Sequence, residues 1–183
     1  MELVRREEIL DYVTYDEQRS KIRDKIMKIK EIRRINLGGI LSFLFETRDT
    51  IRYQIQEMIR VERIVREEDI LHEIKTYNEI LGNPGELGCT LLIEIDDPFE
   101  RDDKLKKWLD LPKYLFLKIK DGTKIMAKFD ERQIGENRLS SVQYIKFNTK
   151  GKVPISIGSD FPLFKTETLL SSEQINALNE DLQ

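Results

Sequence analysis

The segment Ile70-Leu-His-Glu-Ile-Lys-Thr-Tyr-Asn-Glu-Ile-Leu-Gly-Asn-Pro-Gly-Glu-Leu-Gly-Cys-Thr-Leu-Leu-Ile-Glu-Ile95 changes its hydrophobic period midway, and that change decides the fold class. Up to Leu81 the apolar positions Ile70, Ile74, Tyr77 and Leu81 recur every three or four residues, the stripe of an amphipathic helix. Gly82-Asn83-Pro84-Gly85 then stops a helix. Beyond it Leu91, Ile93 and Ile95 alternate, the period of a strand with one buried face. Helical period governs the chain before this point and period two governs it afterwards. The expectation is therefore an α+β fold, with a helical N-terminal half packed on a mostly antiparallel β-sheet from the C-terminal half, and a short C-terminal helix.

Working outward towards the N-terminus, residues 5–12 read as a short helix. Residues 16–34 contain neither Gly nor Pro and set Ile22, Ile26 and Ile29 on one face, so a longer helix is expected there. Gly38-Gly39 breaks it, and Ile40–Phe45 reads as a buried strand. Thr47 can cap a helix running to about Val65, with Asp49 in its first turn and Ile51, Ile55, Met58 and Val65 as its stripe. Towards the C-terminus, Asp97-Pro98-Phe99-Glu100 opens a short helix that continues through Leu105, Trp108 and Leu109. Asp121-Gly122 predicts a two-residue hairpin between strands at 114–120 and 124–129. Strands follow at 142–147, 153–157 and 164–169, and Ser171-Ser-Glu-Gln174 caps a final helix carrying Ile175, Leu178 and Leu182. With no internal repeat, residues 1–183 read as one domain, and 82–88 is where a subdomain joint would fall.

Of 183 residues, 34 are acidic and 31 basic; a net charge of -3 names no partner and lacks the basic excess of a nucleic-acid binder. One cysteine, Cys89, excludes an internal disulfide and a cysteine metal cage. The start, Met1-Glu-Leu-Val-Arg-Arg-Glu-Glu, is charged at once, and no run approaches the ~20 apolar residues of a membrane span. A cytoplasmic location without membrane contact is expected.

His72 falls opposite the apolar stripe of its helix, no Gly-x-Ser-x-Gly elbow exists, and there is no Glu-x-x-His pair. Asp96, Asp97, Glu100, Asp102 and Asp103 match no calcium loop and are accounted for by helix capping, so neither a metal nor a cofactor is expected. The basic residues Arg19, Lys21, Arg23, Lys25, Lys28, Lys30, Arg33 and Arg34 flank an apolar face on both sides instead of forming one stripe, which fits snorkelling better than nucleic-acid binding.

One charge misfits. At 100° per residue from Ile51, Glu62 falls at about 20°, inside its own apolar stripe, and on the preceding helix Arg33 falls at about 20° between Ile26 and Ile29. Burying a lone carboxylate costs several kcal/mol, so Glu62 is expected to pair with Arg33 or Arg48 and fix how the helices dock. The functional alternative is a carboxylate of raised pKa in a cleft.

The run Phe45-Glu-Thr-Arg-Asp-Thr-Ile-Arg-Tyr-Gln-Ile-Gln-Glu-Met-Ile-Arg-Val-Glu-Arg-Ile64 resembles a bacterial family known as domain of unknown function 3501. Tyr15-Asp-Glu-Gln-Arg19, Arg33-Arg34, Tyr77-Asn78 and Leu91-Leu-Ile-Glu-Ile95 extend the likeness over most of the chain. The resemblance implies an association with rubrerythrin-like and iron–sulfur oxidoreductase proteins, and implies no activity or catalytic residue. It directs attention to Glu46, Arg48, Tyr53, Gln54, Gln56, Glu57, Arg60 and Glu62. The first expectation is a non-enzymatic accessory or binding protein with a protein partner, its redox setting taken from the resemblance alone. The alternative is an enzyme acting on a small anionic metabolite, with Arg33, Arg48, Arg52 or Arg60 holding charge and Glu57 or Glu62 as general acid/base. Nucleic-acid binding through the helix at 16–34 ranks third. No motif speaks to oligomeric state.

Overall fold

Four side chains that accept hydrogen bonds from otherwise free helix amides set where most helices begin. Asp11 accepts from Val13 and Thr14 at the start of α1 (Tyr12–Glu31), and Thr47 accepts from Thr50 at the start of α2 (Arg48–Glu62). The next helix, α3 (Glu67–Asn78), lacks such a cap but places Glu67, Glu68 and Asp69 at the positive end of its dipole. Asp97 opens α4 (Pro98–Lys107), and Ser171 opens α5 (Ser172–Asp181) with the capping box expected for it. The computed structural model describes residues 2–183 and is an α+β fold of these five helices and two antiparallel sheets. No helix among the described residues is long and apolar enough to cross a membrane.

The N-terminal half departs from expectation in three places. The helix expected over 5–12 is a single 3-10 turn at Arg6–Glu8. The helix expected over 16–34 stops at Glu31, because the chain continues as strand β1 (Arg34–Leu37). Gly38 and Gly39, at φ +59° and +70°, then fold β1 back on β2 (Leu41–Phe45), pairing Ile35 with Phe43 and Leu37 with Leu41. A side chain is strained at such angles, and the ring of Phe164 leaves no room for one at Gly38. Finally, α2 ends at Glu62: Arg63 turns left-handed, and the Ile64 amide bonds the Ile59 carbonyl at 3.0 Å.

The remaining strands are β3 (Glu86–Ile93), β4 (Leu115–Ile119), β5 (Lys124–Met126), β6 (Lys128–Phe129), β7 (Val142–Asn148), β8 (Pro154–Phe161) and β9 (Phe164–Leu169). One sheet has the order β1-β2-β3-β7-β6 and the other β5-β4-β8-β9. The two are joined at Ala127, whose amide still bonds the Leu115 carbonyl at 2.9 Å while the chain passes from β5 to β6. Their inner faces enclose one apolar core that includes Phe43, Phe45, Leu91, Leu117, Phe147 and Ile157, with Trp108 beside α4 and Leu178 of α5 packed into it. At the β1 edge, α5 takes the place of a further strand: Gln174 Nε2 donates to the Arg34 carbonyl at 3.0 Å.

A second apolar core lies among the helices. Ile51, Ile55 and Ile59 of α2 are fully buried against Ile70 and Ile74 of α3 and against Val4 and Ile9 of the N-terminal segment. Burying one such side chain contributes roughly 1.5–3 kcal/mol. The helices meet the outer face of the first sheet through close backbone contact. A Cβ on Gly88 of β3 would lie 2.0 Å from the Ile80 carbonyl, so the glycine is what admits the end of α3.

Candidate functional site

Glu46 joins β2 to α2 and is 2% exposed. Its Oε2 accepts from Thr50 Oγ1 at 2.5 Å, and its Oε1 accepts from Gln54 Nε2 at 2.8 Å and from Thr90 Oγ1 at 2.7 Å. No ion pair within 4.0 Å reaches it among the described residues. Three neutral donors therefore carry the burial of this carboxylate. Nearby, burial lowers the pKa of Lys30 while the Glu46 charge pulls it back up, and the Lys30 ammonium lies 5.2 Å from the centre of the Tyr53 ring. Thr90 and Ser42, which accepts from Arg34 Nη1 at 2.9 Å, extend a polar layer under α1 and α2.

Glu57, on another side of α2, fastens α1. It accepts from the buried Tyr15 hydroxyl at 2.8 Å and from Arg19 through Nε and Nη2 at 2.8 and 2.9 Å, with Arg60 at 3.6 Å. Burial alone would raise the Glu57 pKa, but the Arg19 and Tyr15 bonds outweigh it and hold the carboxyl below its ordinary value. The Tyr15 phenol moves far upward, first from burial and then from its bond to Glu57.

Gln56 and Arg48 hold the N-terminal segment. The Gln56 amide accepts from Leu10 N–H at 2.7 Å and donates to Leu10 C=O at 3.1 Å. Asn78 makes the same pair of bonds with Val4, both at 2.9 Å. Arg48 donates to the Leu3 carbonyl at 3.2 Å and pairs with Glu8 at 2.5 Å. Residues 3–10 are thus gripped by side-chain amides much as a strand is gripped by its neighbour.

The expected Glu62 ion pair does not form. Glu62 is exposed, Arg48 pairs with Glu8, and Arg33 makes a bidentate pair with Asp181 of α5 at 2.8 and 2.9 Å. Of the expected stripe only Ile51 and Ile55 belong to the helical core, which continues through Ile59 while Val65 is exposed, and a wheel angle carries no information on how far along the axis the covering helices reach. Glu62 is the last residue of α2, beyond that cover. Nor do the four arginines of the proposed enzyme converge on one cleft: Arg33 faces α5, Arg48 pairs with Glu8, Arg52 pairs with Asp49 at 2.9 Å and approaches Glu8 at 3.6 Å, and Arg60 faces Asp16 and Glu57. Of the basic residues at 16–34, Arg19 on α1 and Arg33 beyond its end are held in internal ion pairs, and Arg34 of β1 in a hydrogen bond.

A site without a sequence motif lies beyond α3. There the outer face of β6 and β7 is left uncovered, and the space between it and α3 is a cleft of about 790 Å³. Glu73, Thr76 and Tyr77 present one face of α3 to it, and Ile80 joins them from the turn that follows. Tyr144 and Lys146 project from alternate positions of β7, and Lys128 from β6 stands directly opposite Lys146 in register. Among the described residues, neither lysine has a carboxylate within 4.0 Å. Burial raises the pKa of both tyrosines, with Glu46 adding to Tyr144, and with Tyr144 and Glu73 adding to Tyr77. Tyr144 is paired in register with Thr90, so the floor of the cleft continues into the Glu46 network. A shallower groove of about 270 Å³ along Tyr53, Gln54 and Met58 shares Tyr77 with the cleft. In the sequence Tyr77 reads as core, and only the outward spacing of Tyr144 and Lys146 hints at a surface role.

The model of one protein family matches residues 3–182, nearly the whole chain. The chain belongs to that family, Protein of unknown function (DUF3501). A crystal structure of a novel protein of unknown function from Burkholderia pseudomallei K96243 has the same fold as this DUF3501 protein, with a TM-score of 0.91 and 26% sequence identity over 100% of both chains. No protein of curated function matches this DUF3501 chain.

Proposed function

We propose that this DUF3501 protein is a binding protein, and that its ligand is a small molecule held in the cleft between α3 and strands β6–β7. One observation carries the reading. The cleft, at about 790 Å³, has the size of small-molecule sites, roughly 300–1,000 Å³, and gathers Tyr77, Tyr144, Lys128 and Lys146, whose side chains make no hydrogen bond or ion pair among the described residues. By contrast, Glu46 and the polar residues of α2 named above are taken up by internal contacts: Glu46 with Thr90, Glu57 with α1, Gln56 and Arg48 with the N-terminal segment. A tyrosine offers apolar area and a hydroxyl together, which suits a ligand with a flat body and a polar edge. The redox setting implied by the resemblance contributes no residue to this reading.

The test is a fragment titration of the 15N-labelled full chain with uncharged aromatic compounds such as indole and benzamide. Amide shifts clustered on Tyr77, Ile80, Tyr144 and Lys146 are expected. Shifts that scatter, or that gather instead at the apolar depression beside Ile119, Val153 and Ile155, would remove the cleft from consideration.

A further inference from the structure

Building on that reading, we infer that the ligand is a small zwitterion with an aromatic or apolar body, its anionic group set between Lys128 and Lys146 and its cationic group against Glu73. The strand wall of the cleft is net positive, with Lys128 and Lys146 against Glu86 and with Asp130 paired to Arg132, and the helix wall carries Glu73 and Glu79. Lys128 and Lys146 belong to the strand wall and face each other directly across the β6–β7 ladder. Like charges at such a cross-strand position, with Cβ atoms roughly 4.5–5.5 Å apart, repel one another and weaken the pairing. A carboxylate or phosphate seated between the two ammonium groups turns that repulsion into two charge-assisted hydrogen bonds.

The acidic side chains of the cleft do not fill this role. Glu86 is engaged by Asn83, through Nδ2 at 2.8 Å and the backbone amide at 3.3 Å, and against its burial these bonds and the charges of Lys128 and Lys146 hold its pKa down, but it forms no ion pair within 4.0 Å with either lysine and so offsets only part of their charge. Asp130 is engaged by Arg132 and by the Arg132 backbone amide. Glu79 lies at the exposed rim, where its charge acts on Arg132. Glu73 is left on the helix wall, half-buried, one turn before Tyr77, with no cation within 4.0 Å among the described residues. An anion-binding pair and an unmatched carboxylate therefore stand on opposite walls, with Tyr77, Ile80 and Tyr144 between them.

This arrangement discriminates among ligand classes. A purely anionic ligand satisfies the lysines but brings negative charge towards Glu73, and a purely cationic one reverses the conflict. A neutral ligand leaves both ends as they are. A long polyanion also meets Glu79 at the rim. A molecule with separated amino and acidic groups, as in an aromatic amino acid or a dipeptide, satisfies both walls, and the volume admits either.

Isothermal titration and amide-shift mapping of the full chain with phenylalanyl-phenylalanine, its N-acetyl form and its C-terminal amide test the inference. The free dipeptide should bind in the cleft at least about tenfold more tightly than either capped form. Lys128→Ala with Lys146→Ala should abolish its advantage over the amide, and Glu73→Gln its advantage over the acetyl form. Equal affinity for all three forms, or variants that leave the preference intact, overturns the zwitterion while leaving the cleft as a binding site. Binding of uncharged aromatic fragments there without any dipeptide binding does the same. If neither dipeptides nor fragments move cleft resonances, the binding reading falls together with the inference.

Discussion

The outer face of the first sheet is one surface with two fates. Where α1 and α2 lie over β2 and β3, its polar side chains are matched: Glu46 by Thr50, Gln54 and Thr90, and Ser42 by Arg34. Where β6 and β7 extend past α3, the same face carries Lys128, Tyr144 and Lys146 into open space. Both regions are rich in polar groups, so polarity alone does not distinguish a structural seam from a site. What distinguishes them is whether each group has a partner within its own fold. A matched group stabilises the fold, and removing it leaves buried donors or acceptors unsatisfied. An unmatched group on a concave surface contributes little to stability and is free to contribute to binding.

That contrast can be broken by substitution, and the largest effect is expected in the seam. Glu46→Ala deprives Thr50, Gln54 and Thr90 of their acceptor and should lower the unfolding free energy by about 3 kcal/mol in urea denaturation. A loss below about 1 kcal/mol would mean that the network is not structural.

Next comes Glu57→Gln, with an expected loss of about 2 kcal/mol at neutral pH because hydrogen bonds to a charged group are replaced by weaker ones. Its pH dependence has a defined sign. The folded-state pKa of Glu57 lies below the ordinary 4.5, so its contribution is present above 4.5 and is lost as pH falls through the folded value. Tyr15 is shifted upward from 10.0, so its contribution is intact below pH 10.0 and is lost as pH rises further. Denaturation midpoints across pH should therefore show a shallower acid limb in Glu57→Gln and a shallower alkaline limb in Tyr15→Phe. Limbs parallel to the wild type would contradict the assignment.

A smaller effect, about 1 kcal/mol, is expected for Gln56→Ala, whose amide makes two bonds to Leu10. Hydrogen exchange should show the amides of residues 3–10 opening faster in that variant, with those of β3 and β7 unchanged. The smallest effects belong outside the seam. Glu62→Gln should stay within about 0.5 kcal/mol of wild type, as an exposed helix-end residue does.

Much of the fold is legible in the sequence because its signals are local. Thr47, Asp97 and Ser171 cap the helices expected of them, and Asp121-Gly122 sits at the tip of the β4–β5 hairpin. Strand β1 is not legible: Arg33-Arg34-Ile35 continues the pattern of the helix before it, and only the pairing with β2 makes it a strand. The division into two sheets is equally invisible, because it depends on one residue, Ala127, at which the chain changes partners. The segment 46–62 does contain a buried carboxylate, but it is Glu46, which precedes the helix and lies outside any wheel drawn on it. The cleft is the least legible feature. Its residues come from α3, β6 and β7, and its existence depends on how far the helical layer extends over the sheet, a property of packing that no periodicity records.

The contrast between seam and cleft is tested most directly by the thermal unfolding of the Lys128→Ala/Lys146→Ala double variant, with and without the free dipeptide. Removing two like charges that face each other should leave the melting temperature of the unliganded protein within about 2 °C of wild type, or above it, and the dipeptide should raise the melting temperature of the wild type more than that of the double variant. A double variant that melts several degrees lower without ligand would contradict this, because the two lysines would then belong to the structure of the sheet.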